Sequence, residues 1–231
     1  MTSSESAPTR DETLQRVRSA IERIIRDGKM IARSDNSVND VFPIAINAAE
    51  GETLRTWVIK EKAVHTIEIG FAWGISALHI CEGLFMNGNQ NAHHVVLDPF
   101  QATRFKNCGL QLLEEAGVAH FVEHRAEESQ IALPQFVSEG RQFDFAFVDG
   151  NHLFDRVFLD LIYLGRLVRP QGVVFADDYQ APAIARAVSF CLTNLGWKLE
   201  EVSPSDQHHQ WAVLRTAGEP IPRSYPHFVD F

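Results

Sequence analysis

The sequence predicts an α/β protein: a seven-stranded, mostly parallel sheet with an antiparallel final strand and helices on both faces. Three observations predict it. From Val64 onward, short apolar runs alternate with amphipathic stretches, which is the signature of βα units. Two of those runs, Phe143 to Val148 and Gly172 to Ala176, are apolar at nearly every position, as strands covered on both faces must be. The last two runs, near 197–203 and 210–215, have no helical stretch between them, only the polar turn Ser203-Pro204-Ser205-Asp206. They therefore form a hairpin, and one of its strands must run against the others.

The elements follow in order. Residues 1–10 are polar and expected to be disordered. Thr13 to Ala32 reads as an amphipathic helix, with Leu14, Val17, Ile21, Ile24 and Ile25 on one face. Ser34 to Ser37 is a loop, and Glu50 to Lys60 is a short helix with Leu54, Trp57 and Val58 inward. Further strands fall near 64–69, 93–98, 120–123, 143–148 and 172–176. Helices fall near 75–86, 103–116, 129–138, 153–168 and 181–195. The chain divides into an N-terminal helical segment (1–60), a core (61–218) and a tail (219–231), without repeats or a second domain.

At 231 residues the chain can bury a full single-domain core. A net charge of −9 opposes nucleic-acid binding, which needs a basic footprint. Cys81, Cys108 and Cys191 are far apart, with no zinc-like spacing, so buried free thiols and a cytoplasmic location are expected. The N-terminus lacks a signal core, and no apolar stretch approaches the roughly 18 residues of a membrane span.

The segment from Ile67 to Ser76 follows a strand and opens a helix. Gly70 can admit a close backbone approach, and Gly74 and Ser76 lie at a helix N-terminus, which favours anionic groups. A plain tight turn is the alternative. A dinucleotide fingerprint would need glycine where Ala72 and Ile75 stand, which disfavours NAD. The next strand ends in Asp98, suited to a ribose diol or, more plainly, to a helix cap or turn. Asp98 lies 28 positions after Gly70 because of the polar loop Asn87 to Asn91.

Asp149 ends one buried run, and Asp177 and Asp178 end another. In an open α/β sheet such strand ends form the ligand edge. Three carboxylates converging there repel each other unless a cation sits between them, and oxygen ligands suit a hard divalent ion. The alternative is capping, with Asp149-Gly150-Asn151 as a turn and Asp178 capping the helix near Ala181.

At this point the chain resembles the class I S-adenosylmethionine-dependent methyltransferases, which have a Rossmann-like fold, and within them the catechol-type and antibiotic-tailoring O-methyltransferases. The resemblance covers roughly residues 43–216. It implies S-adenosylmethionine as cofactor. The E-x-G-x-x-x-G-x-S loop, here Glu68, Gly70, Gly74 and Ser76 with Phe71 inside it, would wrap the methionine part. Asp98 would hold the ribose, and Glu127 would lie beside the adenine. Leu167 to Gly172 resembles the family's L-R-P-G-G turn, with Gln171 replacing the first glycine. The resemblance assigns Asp149, Asp177 and Asp178 to Mg²⁺, Asp178 standing where catechol enzymes carry Asn. His152 occupies the place of their lysine base. It is either the base or a helix N-terminal residue bonded to the carboxylates.

The resemblance further implies that the N-terminal segment covers the site, with Val41, Phe42, Pro43 and Ile44 in a lid spanning Asn36 to Asn47. Phe100, Phe105, Phe154 and Tyr179 are candidates for an aromatic pocket, Tyr179 foremost, and Trp73 for a cofactor or lid contact. His208 and His209 read as polar hairpin residues, and Arg104 and Lys106 as a solvated face. The expected activity is metal-assisted methyl transfer to a hydroxyl of a small molecule, with no nucleic-acid or membrane partner and a homodimer left open. The competing readings are a metal-independent N-, C- or carboxyl-methyltransferase, a nucleic-acid methyltransferase and a noncatalytic or oxidoreductase module. The N-P-P-Y motif that amino-group methylators of this fold tend to show after the fourth strand is absent, since Asp149-Gly150-Asn151-His152 stands there.

Overall fold

A computed structural model describes residues 9–204, 209–219, 222 and 224–231. The helices are α1 (Arg10–Asp27), α2 (Ala48–Lys60), α3 (Ile75–Asn87), α4 (Cys108–Ala116), α5 (Ser129–Ser138), α6 (Phe154–Leu167) and α7 (Pro182–Asn194). The strands are β1 (Lys29–Ile31), β2 (Val38–Asp40), β3 (His65–Ile69), β4 (His93–Leu97), β5 (Val122–Arg125), β6 (Phe143–Val148), β7 (Val168–Ala176), β8 (Lys198–Val202) and β9 (Ala212–Arg215). The seven-stranded sheet has the order β5-β4-β3-β6-β7-β9-β8. Strands β3 to β7 pair in parallel, and β9 pairs antiparallel with both β7 and β8.

Alternation along the central strands divides the core in two. In β6, Phe145 and Phe147 pack toward α1–α4, while Ala146 and Val148 pack toward α5–α7. All four are buried, which is why this run carries no polar alternation.

Several boundaries differ from the sequence expectation, each for a local reason. Helix α1 stops at Asp27 rather than Ala32 because Gly28 takes a left-handed φ of 63° and its N–H bonds to Ile24 O. The chain released there forms a small antiparallel hairpin, β1 with β2, that periodicity did not reveal. Helix α4 starts at Cys108 rather than 103, since Lys106 and Asn107 both sit at positive φ (51° and 58°). A 3-10 turn over Ala119–Phe121 shifts β5 to Val122–Arg125. Gln171 adopts φ 60°, the conformation a glycine would supply in that turn.

The cysteines are free and buried, as expected. Among the described residues no helix is long and apolar enough to cross a membrane. The tail docks on its own body. Val229 N donates to Asn194 Oδ1 at 2.9 Å, and the Phe231 ring meets that of Phe190 edge-on at 5.1 Å. Residues 1–8 and His208, together with Ser205 and Asp206 of the expected turn, lie outside the described residues.

Candidate active site

The C-terminal ends of β3, β4, β6 and β7 open on one cavity of about 760 Å³. That size falls within the roughly 300–1,000 Å³ typical of small-molecule sites. Parallel pairing fixes this convergence, because every strand in the parallel set delivers its following loop to the same edge. Gly70, Asp98, Glu127, Asp149, His152, Asp177 and Asp178 all line the cavity. Glu68, Phe71, Gly74 and Ser76 do not. All four are buried.

Gly70 has φ 90°, and a Cβ on it would lie 1.9 Å from the Asp149 carbonyl oxygen. What requires glycine there is the neighbouring loop. Gly74 caps α3 in a left-handed conformation (φ 82°) and packs against Gly109. Phe71 is buried in the core. Ser76 donates to Glu68 Oε1, and His94 Nε2 lies 3.0 Å from Glu68 Oε2. Thr66 Oγ1 meets His94 Nδ1 at 2.8 Å. Burial pushes Glu68 up to about 8 and His94 down to about 3, so the pair is held near neutral inside the sheet.

Asp98 knits two rim loops together. It accepts from Ala72 N at 2.8 Å and Phe100 N at 2.7 Å, and from Gln101 Nε2 at 3.0 Å. Farther along the rim, Glu127 Oε1 accepts from Arg125 at 2.9 Å. Its other oxygen, Oε2, is buried with no donor among the described residues. That orphaned acceptor suits an amine donor of a ligand, so the rim fits a nucleoside.

The acid cluster is built by β6 and β7. Ligand atoms of Asp149, His152 and Asp178 lie within 4.8 Å of one another. His152 Nε2 is 3.0 Å from Asp178 Oδ2 and 3.7 Å from Asp149 Oδ1. His209 Nδ1 approaches Asp178 Oδ1 at 3.6 Å. Asp177 stands apart from this trio. It is buried, its Oδ1 has no donor among the described residues, and it faces Glu50 of α2. Neither α6 nor α7 has a side-chain cap, so Asp149 and Asp178 do not serve as helix caps. Asp178 instead sits at φ 51° and accepts from Gln180 Nε2 at 2.7 Å.

Burial raises the Asp149 carboxyl, and the Asp177 and Asp178 charges add to that against the lowering by His152. Burial and Asp178 raise Asp177. The hydrogen bond to Asp149 raises His152. Glu50 is raised by burial first and then by Asp177, Asp149 and Asp178. A cluster this short of positive charge, made of oxygens with unfilled acceptor capacity, fits a hard divalent cation. Glu50 was not among the sequence candidates. An acid in a helix's first turn is ordinary there, and only the packing of α2 reveals its direction.

Other candidates separate clearly. Pro43, Ile44, Ala45 and Ile46 line the cavity, as do Phe100, half-exposed, and Phe105, buried. Phe154 stacks on Phe158 at 5.5 Å and Tyr179 packs into the core, neither of them on the cavity lining. Trp73 is buried edge-on to Phe105 at 5.1 Å. Arg104 lines the cavity, whereas Lys106 pairs with Asp35 at 2.7 Å.

Sheet order, ligand edge and an acid-lined cavity define an α/β protein with a small-molecule site at the C-terminal ends of its parallel strands. Residues 67–179, just under half of the chain, match the family model described as a methyltransferase domain. Among curated proteins it is similar to caffeoyl-CoA O-methyltransferase 2 of Petunia hybrida, 27% identical over 143 residues, 59% of this chain and 57% of that protein. The chain thus spans just over half the length of the curated relatives it matches. Its fold is that of the O-methyltransferase from Bacillus cereus in complex with SAH (TM-score 0.69, 17% identity, covering 86% of this chain and 90% of that one). It is also that of the O-methyltransferase TomG from Streptomyces achromogenes, involved in tomaymycin synthesis, in complex with SAM (TM-score 0.64, 20% identity, covering 94% and 93%).

Proposed function

We propose that the protein transfers a methyl group from S-adenosylmethionine to a hydroxyl of a small molecule, assisted by a divalent metal such as Mg²⁺. The observation that carries this reading is the row of acids on adjacent strand ends, Asp149 on one and Asp177 and Asp178 on the next, opening on the same cavity as Asp98. The likeness to caffeoyl-CoA O-methyltransferases supports it.

When bound, S-adenosylmethionine supplies an electrophilic methyl, and the cation supplies Lewis acidity that makes a hydroxyl a better nucleophile. The chain's own residues bind and orient. Asp149, Asp177 and Asp178 would hold the cation, while Asp98 and Glu127 would hold the ribose and adenine. Gly70 sets the spacing between the two loops. His152, within reach of two of the acids, would take the hydroxyl proton as the methyl passes to oxygen, the sulfur–methyl bond breaking with its electrons left on sulfur so that S-adenosylhomocysteine departs. Residues 43–46, in the segment we assign as a lid, keep water from the reacting groups. The charge and the cavity support a small-molecule partner, and the three free thiols support a cytoplasmic location.

A second reading has one specific observation in its favour: His152 can itself neutralise Asp149 and Asp178, which would leave a metal-independent N-, C- or carboxyl-methyltransferase. Labelled S-adenosylmethionine with a panel of catechols and simple phenols distinguishes them. Methyl transfer is expected with Mg²⁺ and is expected to vanish with EDTA and in Asp149→Asn. Transfer indifferent to EDTA would overturn the metal reading.

A further inference from the structure

Helix α2 brings a fourth carboxylate to the acid cluster. Glu50, in the first turn of α2, is fully buried, and neither oxygen meets a donor among the described residues. Carboxylates at helix N-termini ordinarily stay in solvent, where the dipole favours them at little cost. A buried carboxylate without a donor is costly, and native structures rarely keep one without a partner. Glu50 faces Asp177, whose Oδ1 is likewise buried and without a donor, and it feels the charges of Asp149 and Asp178. Two buried acids from different parts of the chain thus meet within hydrogen-bond reach of one another, with no base or amide between them among the described residues.

The placement is built in by packing. Glu50 is followed by Gly51, where a Cβ would lie 2.3 Å from His79 Nε2 of α3. A Cβ at Gly83 of α3 would lie 2.8 Å from Val58 Cγ1 of α2. Both glycines let α2 and α3 approach closely, and that approach holds Glu50 buried beside Asp177, which does line the cavity. Upstream, residues 43–46 line the same cavity. The segment carrying Glu50 is therefore continuous with the one that covers the site.

We propose that Glu50 is a further carboxylate of the cation site, contributed by the N-terminal segment, so that cation binding and the seating of residues 41–60 are linked. The inference rests on the metal reading above. The linkage is reciprocal: whatever cation affinity Glu50 supplies, the seated segment receives as stabilisation.

Isothermal titration with Mg²⁺ in the absence of acceptor, together with hydrogen exchange over residues 41–60, tests it in the wild type, Glu50→Gln and Glu50→Asp. The expected result is saturable Mg²⁺ binding by the wild type with slowed exchange in that segment. Glu50→Gln should weaken binding at least tenfold and erase the change in exchange. Its melting temperature without metal should equal or exceed the wild type's, because an amide replaces an acid facing an acid. Glu50→Asp, keeping the charge, should recover part of the affinity. If the wild type binds Mg²⁺ and Glu50→Gln binds it equally well, the inference fails while the metal reading stands. A Glu50→Gln protein that melts lower without metal, with no recovery in Glu50→Asp, also overturns it, marking Glu50 as a packing residue. No Mg²⁺ binding by the wild type sinks both.

Discussion

A methyl group placed on Gly70 would lie 1.9 Å from the carbonyl oxygen of Asp149. The glycine loop after β3 and the acid loop after β6 are therefore one structural unit, held further by Asp149 N bonding to Ile69 O at 2.9 Å. Gly70→Ala must push the two loops apart and also hold alanine at φ 90°, a strain of about 1–3 kcal/mol before any clash. The expected outcome is a lowered melting temperature together with weakened cation and cofactor binding. Wild-type binding in a Gly70→Ala protein would mean that the loops do not need this contact.

Asp98 offers a second test. Its carboxylate already accepts from the backbone of Ala72 and Phe100 and from Gln101. Asp98→Ala leaves those donors without an acceptor, at about 1–3 kcal/mol, and removes the group expected to meet the ribose. Calorimetry with S-adenosylhomocysteine should show affinity lowered roughly ten- to hundredfold, with or without Mg²⁺, because this contact is independent of the cation. A loss seen only with Mg²⁺ present would place Asp98 in the cation site instead.

Where sequence and structure agree, and where they part, has a physical logic. The strand ends were legible because two-sided burial writes an unbroken apolar run, and the first polar residue after it must lie at the edge. Asp98, Asp149 and Asp177, with Asp178 beside it, were read that way, and all four line the cavity. Glu68 and Ser76 carry the glycine-loop motif, yet Ser76 bonds to Glu68 and Glu68 to His94, all three buried, and no periodicity says which way a strand-end side chain turns. The early stop of α1 hangs on Gly28, and the late start of α4 on positive φ at Lys106 and Asn107, a backbone choice that Lys does not advertise. Glu50 was illegible because its burial depends on how closely two helices approach, which is tertiary information carried by Gly51 and Gly83.

Acid stability should depend on Glu123, at the β5 edge of the sheet. Arg141 holds it at 2.7 Å and His93 at 3.1 Å. The Arg141 bond is the main reason its pKa falls from 4.5 to about 2. A group depressed on folding stabilises fully above its unfolded value and loses that contribution as pH falls toward its folded value. The loss therefore falls between about pH 4.5 and pH 2. Allowing for partial exposure, it amounts to about 1–2 kcal/mol. Melting temperatures of the wild type should drop across this window, and Glu123→Gln should flatten the drop. Parallel curves would show that other carboxylates control acid unfolding.

His152 decides between a cation and an internal counter-ion. It lies 3.0 Å from Asp178 and 3.7 Å from Asp149, so in the absence of metal it is the positive group best placed to offset them. Removing it in His152→Ala exposes the acids to one another. If a divalent cation is the proper occupant, the metal-free variant should melt lower than the wild type, and Mg²⁺ should restore most of the difference, because one charge carrier replaces another. Turnover should stay low even with saturating Mg²⁺, since the proton acceptor is missing and general-base catalysis typically contributes about 10²–10⁴-fold. Stability that Mg²⁺ cannot restore would favour the imidazolium as resident counter-ion. Full turnover in the variant would return His152 to a purely electrostatic role and leave the hydroxyl proton to another group or to water.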